Sequence, residues 1–467
     1  MDSVEGRGKR EGMVGRSSRS NSPRERKRTD KVRQLQRRLW AAAKRSPERR
    51  FHALYDRVFR SDILREAWKR VKRNKGAAGV DRQSISEVER LGVDDFLEAI
   101  QSELREGTYR PRAVLRRYIP KADGRKRPLG IPTIRDRVVQ MATKLVLEPI
   151  FEADFRPDSY GFRPKRGATQ ALERLRKLGA KGNNHVLDAD IKNYFGCIDH
   201  DKLMALVSLR ISDRRVLKLL RQWLKAGVME DGRETKMLSG TPQGGVISPL
   251  LSNIFLHVLD RVWEDRYAHL GTLIRYADDF VVVCRTCAAC EEAEQRVRDI
   301  LDRLGLTLHP TKTKRVDLSR GRQEFDFLGH TLRKRMSGKL WEQKRKRLYF
   351  LQREPSVRSM KRVRARVKEF TDRRWNGAKD VRVLIRNLNP VLRGWGNYFR
   401  TGNAARRFNA LDSYVWWRLK RFMVKRKGRH LRAGEAAAWT RDFFVSLGLH
   451  RLRGTVKYPA TPFWGNA

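Results

Sequence analysis

The chain has 467 residues, a formal net charge of +52 and a pI near 11.1. Such an excess of Lys and Arg calls for a polyanionic partner, nucleic acid first, because neutralising phosphates releases counterions. An anionic membrane surface is the rival partner, and against it no run reaches about 18 apolar residues; four cysteines in this length do not make a disulfide framework.

Residues 1–30 are polar and rich in Ser, Arg and Gly, a composition that does not fold alone. Asp2, Glu5 and Glu11 argue against a transit peptide, and no signal-peptide pattern is present, so a cytoplasmic protein is expected. Helical patterning starts near Lys31. In "FHALYDRVFRSDILREAWKRV" (51–71), Phe51, Leu54, Tyr55, Val58 and Phe59 follow i, i+3, i+4 spacing. "NKGAAGVD" (74–81) breaks the pattern. "RRYIPKADGRKRPLGIP" (116–132) reads as two strands around a turn at Asp123-Gly124.

Further strands are expected at "VLDADIKNYFGCID" (186–199) and "LIRYADDFVVVC" (273–284), with helices at roughly 201–225 and 248–268 between them. "EEAEQRVRDILDRLG" (291–305) predicts a helix ended by glycine. From about residue 340 the pattern is mostly helical. That last stretch is also the most basic. From Thr331 onward there are 36 Lys/Arg against 8 Asp/Glu, so more than half of the net charge lies in the last 137 residues. A catalytic centre followed by a basic helical nucleic-acid-binding module is the implied plan.

Asp278 and Asp279 stand side by side between apolar strand runs. Burying unpaired carboxylates is costly, so the pair needs a reason. At a tight hairpin both would face a common space, where Asp190 on a neighbouring strand could complete a hard-oxygen site. Such oxygens suit Mg²⁺. Adjacent aspartates at a turn are common, and the pair becomes specific only through its surroundings.

Those surroundings resemble group II intron-encoded reverse transcriptases. "YADD" (276–279) resembles their signature hairpin, and "SGTPQGGVISPLLSNIFLHVLD" (239–260) their Pro-Gln-Gly motif and following helix. "IPKADGRKRPLGIPTIRDRVVQ" (119–140), "SYGFRPKRGATQAL" (159–172), "LGLTLHPTKTK" (304–314) and "FDFLGHTL" (325–332) fall in the family's order. "NKGAAGVD" is similar to the extra N-terminal motif of the non-retroviral branch. "LNPVLRGWGNYFRTGNAARRFNALDSYVWWRLKRF" (388–422) resembles the maturase domain.

The resemblance implies an α+β right-hand polymerase whose palm has a ferredoxin-like βαββαβ core. Its parts would be a basic extension (1–50), fingers (51–180), palm (181–335) and a helical thumb/maturase domain (336–467). It implies two Mg²⁺ ions held by Asp190 and Asp278, with Asp279 assisting. Lys121 and Arg127 would grip the triphosphate, and Gln243 would lie against the incoming nucleotide. Phe195 would exclude a 2′-hydroxyl, and Lys312 would protonate the leaving pyrophosphate.

Arg406, Arg407, Arg418, Lys420 and Arg421 are the expected RNA contacts, while the aromatic stripes around Trp395 and Tyr414 read as core. The implied partners are group II intron RNA, an RNA template with a DNA primer, and dNTPs, with room for a homodimer. The implied activity is RNA-directed DNA synthesis together with help in splicing and retromobility. No endonuclease motif follows Tyr458, so priming from an existing nick or fork is expected, at the nucleoid when mobile. A domesticated or other bacterial reverse transcriptase, or a splicing-only RNA-binding protein, is the alternative. "CRTCAAC" places Cys284, Cys287 and Cys290 at CxxCxxC spacing; with Cys197 distant in sequence, a strand end entering a helix is expected there rather than a metal site.

Overall fold

The computed structural model describes residues 23–120, 124, 126–230, 233–235, 240, 244–338, 342–343, 345, 347–372 and 380–458. Lys121 and Gln243, both expected at the nucleotide site, lie outside the described residues, as does most of the polar N-terminal stretch.

The N-terminal half is built on amphipathic helices. Helix α1 (Pro23–Arg45) buries Val32, Leu35, Leu39 and Ala43 on one stripe, packed against α6 (Ile134–Glu152). Helix α3 (Ser61–Arg73) lays Ile63, Leu64, Ala67, Trp68 and Val71 on the same partner. With neighbours on several sides, α6 is buried around nearly its whole circumference. Thr133 caps its start by accepting from the Asp136 amide. Helices α2 (Tyr55–Val58), α4 (Ile85–Leu91) and α5 (Val93–Glu106) complete this layer.

Strands β1 (Val114–Pro120) and β2 (Lys126–Ile131) form the expected antiparallel pair. They continue into β4 (Val228–Glu230) and β5 (Arg233–Thr235), giving the order β2-β1-β4-β5.

The central sheet contains β3 (His185–Asp190), β6 (Gly271–Tyr276), β7 (Asp279–Cys284) and β8 (Lys314–Asp317). Its order is β6-β7-β3-β8. Helices α8 (His200–Ser208), α9 (Arg214–Lys225) and α10 (Ser248–Val262) lie between β3 and β6, and α11 (Cys287–Leu304) lies between β7 and β8. That connectivity and strand order are the expected βαββαβ palm.

Strand alternation gives the sheet two different faces. Leu187, Ala189, Leu273, Phe280 and Val282 join the main core beneath α10 and α11. Val186, Ile274, Val281, Val283 and Val316 face the other way, into a second core with α7 (Ala168–Ala180). Asp188, Asp190 and Asp279 share the period of this second face but stand at its end, where apolar cover runs out.

One strand departs from the sequence reading. Residues 349–355 are a strand, β11 (Tyr349–Pro355), where a helical pattern is expected. It pairs along its full length with β10 (His330–Met336), which also pairs with β9 (Glu324–Phe327). Arg and Gln in this stretch favour helix, and pairing with β10 overrides that propensity. Beyond it, α12 (Val357–Phe370), α13 (Val381–Phe399), α14 (Ala405–Lys427), α15 (Glu435–Ala438) and α16 (Arg441–Ser446) enclose a separate core around Leu384, Leu388, Phe408, Val415 and Leu419. Among the described residues, no helix is long and apolar enough to cross a membrane.

Candidate active site

Tyr276 pairs with Asp279, so β6 and β7 are joined by the two-residue loop Ala277-Asp278. Ala277 adopts φ +61°, a left-handed conformation that tight hairpins need at this position and that alanine takes up only under constraint. Across the sheet, Asp190 is directly opposite Asp279. Register and turn thus bring the three predicted aspartates together.

Gly161 lies under the turn. A Cβ there would come within 2.2 Å of the Ala277 nitrogen, so the backbone approach requires glycine. The Tyr160 backbone amide donates to the Arg275 carbonyl (2.8 Å) and the Arg275 backbone amide donates to the Asp158 carbonyl (3.0 Å), fixing the 158–161 segment beside β6.

Burial and mutual repulsion disfavour ionisation of the carboxyls here. Burial raises the Asp278 carboxyl; Asp190 pushes it further, and Arg127 opposes. Burial, then Asp188, Asp278 and Asp190, raises Asp279 to about 8. Burial also raises Asp188 to about 7, with Lys314 opposing and Asp190 and Asp326 adding to the rise. Asp188 was not anticipated, although its spacing of two from Asp190 on a strand is a readable sign of a shared face.

The donors fit Mg²⁺: hard oxygens whose mutual repulsion a dication would relieve. Among the described residues, no three His, Cys, Asp or Glu side chains form a ready cage. Mg²⁺ bound through one or two carboxylates plus substrate phosphates does not require one.

These shifts have a consequence for stability without metal. A carboxyl raised in the folded chain keeps its proton where the unfolded chain has lost it. Stability therefore falls as pH rises from about 4, the unfolded carboxyl value, toward the raised folded values. In EDTA, the melting temperature of the wild type is expected to drop more steeply between pH 5 and 8 than that of Asp279→Asn, with added Mg²⁺ reducing the difference. Parallel slopes would contradict the raised Asp279 carboxyl.

Around the aspartates, Lys312 Nζ lies 2.5 Å from Asp190 Oδ2. Arg127 is exposed on β2, near enough to act on Asp278. Phe195 lies in a short 3₁₀ turn (Tyr194–Gly196), edge-on to Tyr194 at 5.1 Å. Tyr194 in turn donates to the Ser252 carbonyl (2.8 Å). The Phe195 ring is 9 % exposed, so it is packed into the main core rather than projecting freely. The C-terminal helices also approach the site. Tyr398 on α13 donates to the Leu328 carbonyl in the β9–β10 turn (2.9 Å), and its phenol is raised by burial, then by Tyr276 and Asp279.

The five expected RNA contacts divide by surroundings. Arg406 is exposed. Lys420 lies over the Trp416 ring and Arg421 over the exposed Trp417. Arg407 instead contacts Glu354, which also pairs with Arg333. Arg418 donates to the Thr371 hydroxyl (2.8 Å) and carbonyl (3.0 Å), tying α14 to the end of α12.

Cys284 ends β7, Thr286 caps α11, and Cys287 begins that helix. Cys284 and Cys290 are buried and hydrogen-bonded to each other, which raises the Cys284 thiol, while Cys287 and Cys197 are exposed.

Adjacent aspartates, one in a two-residue turn and one at the strand start after it, opposite a third on a neighbouring strand of a βαββαβ sheet, define a template-copying polymerase of the right-hand class. Residues 119–332 match the family model "Reverse transcriptase (RNA-dependent DNA polymerase)" and residues 360–438 match "Group II intron, maturase-specific domain". Protein YkfC of Escherichia coli K12 is 36% identical over 345 residues, 66% of this chain and 89% of that protein. The group II intron-encoded protein LtrA of Lactococcus lactis is 40% identical over 213 residues, 45% of this chain and 35% of LtrA. A 91 kDa protein encoded in the cob intron of Schizosaccharomyces pombe is 28% identical over 85% of this chain and 56% of its own length. The chain belongs to the group II intron-encoded reverse transcriptase/maturase family, and its enzymatic class is RNA-directed DNA polymerase.

Proposed function

We propose that the protein binds a group II intron RNA, assists its splicing, and copies RNA into DNA from a DNA 3′-hydroxyl during retromobility. The observation that carries this reading is the meeting of Asp190, Asp278 and Asp279 in a chain whose last module is basic and matches a maturase domain. Residues 51–180 act as fingers, 181–335 as palm and 336–467 as thumb, with the β10–β11 hairpin bridging the last two.

Asp190 and Asp278 would hold two divalent ions, with Asp279 supporting them from the sheet, and the bound charge would activate the attacking hydroxyl and neutralise the leaving pyrophosphate. Arg127 and Lys121 orient the triphosphate, for which a guanidinium is suited by its paired donors. Gln243 lies against the nucleotide. Lys312, on the Asp190 side, gives a proton to the leaving group.

Phe195 closes the sugar site. Phe195→Val is expected to raise ribonucleotide relative to deoxyribonucleotide incorporation by about tenfold or more, since the bulk that rejects the 2′-hydroxyl is removed. Single-nucleotide extension with matched rNTP and dNTP measures the ratio. An unchanged ratio in an active variant removes Phe195 from the site.

The test of the whole reading is a splicing assay on the intron that flanks the gene, run beside primer extension on an RNA template. Both activities are expected from the same preparation. A protein that extends primers but neither binds nor splices that intron would be a plain reverse transcriptase.

A further inference from the structure

The arginine in "LIRYADD" stands inside an apolar strand, where a charge needs an explanation. Arg275 is fully buried. All five of its N–H donors are used. Nε donates to Asp260 Oδ1 (2.8 Å), and one Nη2 hydrogen goes to Asp260 Oδ2 (2.5 Å). The other Nη2 hydrogen goes to the Ser159 hydroxyl (2.9 Å), and the two Nη1 hydrogens go to Asn253 Oδ1 and the Ala277 carbonyl (both 2.9 Å). Asn253 and Asp260 are seven residues apart on α10, two turns, and so reach Arg275 from one helix face. Asn253 then donates its amide to the Gly161 carbonyl (2.8 Å).

We propose that Arg275 is a positioning residue for DNA synthesis: its guanidinium fixes the Ala277-Asp278 turn and thereby sets where the Asp278 carboxylate stands. Three elements that form the turn's surroundings, α10, the 158–161 segment and β6, converge on this one group. The contact to the turn is made at the carbonyl of Ala277, whose positive φ needs external support. A buried ion pair is not in itself a source of stability, and apolar residues of similar volume would fill the space as well. What they would lack is a donor to the Ala277 carbonyl. Lysine would lack it in a different way: three donors on a flexible stem do not reproduce a planar fork with five.

The inference rests on the polymerase reading, so the first measurement does not depend on activity. Hydrogen–deuterium exchange of peptides covering 273–280 is compared in wild type, Arg275→Lys and Asp260→Asn, using the full chain. The turn amides are expected to exchange faster in Arg275→Lys. They should stay near wild type in Asp260→Asn, where the side-chain oxygen still accepts from Arg275 and the Ala277 contact remains.

Primer extension then gives a kcat lowered about 100-fold in Arg275→Lys, the scale of a displacement of about 1 Å, with KM for dNTP nearly unchanged. Asp260→Asn should melt earlier and yet keep a kcat within about threefold of wild type. Should Arg275→Lys not fold, Arg275→Met combined with Asp260→Leu, which fills the space with apolar groups and removes the donor to the Ala277 carbonyl, is expected to show the same faster exchange at the turn. Unchanged turn exchange in whichever Arg275 variant folds overturns the proposal. So does a loss of kcat that follows melting temperature alike in Arg275→Lys and Asp260→Asn. An inactive wild type with the expected exchange pattern would count against the polymerase reading alone.

Discussion

Asp278→Asn is expected to abolish DNA synthesis while leaving the fold and RNA binding intact. Asp278 is half-buried in a turn rather than in either core, and its charge is disfavoured there by burial and by Asp190. Removing that charge should cost the folded chain little. The asparagine would still fit the turn, yet it would offer a neutral oxygen where the reaction needs a charged one. Losing about 4 kcal/mol of transition-state stabilisation corresponds to a drop in kcat of about 1,000-fold. Primer extension on an RNA template in Mg²⁺ measures it, with melting temperature and RNA affinity as controls. Full activity would remove Asp278 from the catalytic centre. Asp190→Asn should behave similarly, and because Lys312 contacts Asp190 it should also release that lysine.

The meeting of Asp190, Asp278 and Asp279 was legible in the sequence because their signals are local. Period-two alternation around Asp278-Asp279 announces a hairpin, and its register with the strand carrying Asp190 follows from burying one face. The Arg275 node was half legible: a charge within "LIRYADD" is a visible anomaly, but its partners lie on α10 and at Ser159, brought close only by the fold. Strand β11 was hidden because Leu351, Gln352, Arg353 and Glu354 favour helix, against Tyr349 and Phe350, and its pairing with β10 is set by the tertiary structure. The β4–β5 pair carried a readable sign in the Asp-Gly dipeptide of "VMEDGRET". Arginine roles were the least legible. Arg418 capping a helix end and Arg406 facing solvent look alike in a basic sequence, and only neighbours such as Thr371 tell them apart.

That distinction decides how the RNA-binding module should be tested. Reversing Arg407 or Arg418 would break contacts to Glu354 or to the end of α12, and a loss of binding would then mix with damage to the C-terminal helices. Arg406, Lys420 and Arg421 are the better set. Arg406 is exposed, and the other two lie on aromatic rings from which they can reach phosphates. Changing all three to Glu is expected to weaken intron RNA binding and splicing well before it affects primer extension on a short generic template. Each lost phosphate contact also lowers the slope of log K against log salt by about 0.7 to 0.9, so the triple variant should lose about two to three from that slope. A salt titration of RNA affinity separates this from unfolding, which would remove binding at every salt concentration. If affinity, slope and splicing all stay at wild-type values, this face of α14 does not bind the intron. Since the aspartates lie on the central sheet and these cations on α14, Asp278→Asn should show the converse pattern, splicing normally without extending a primer.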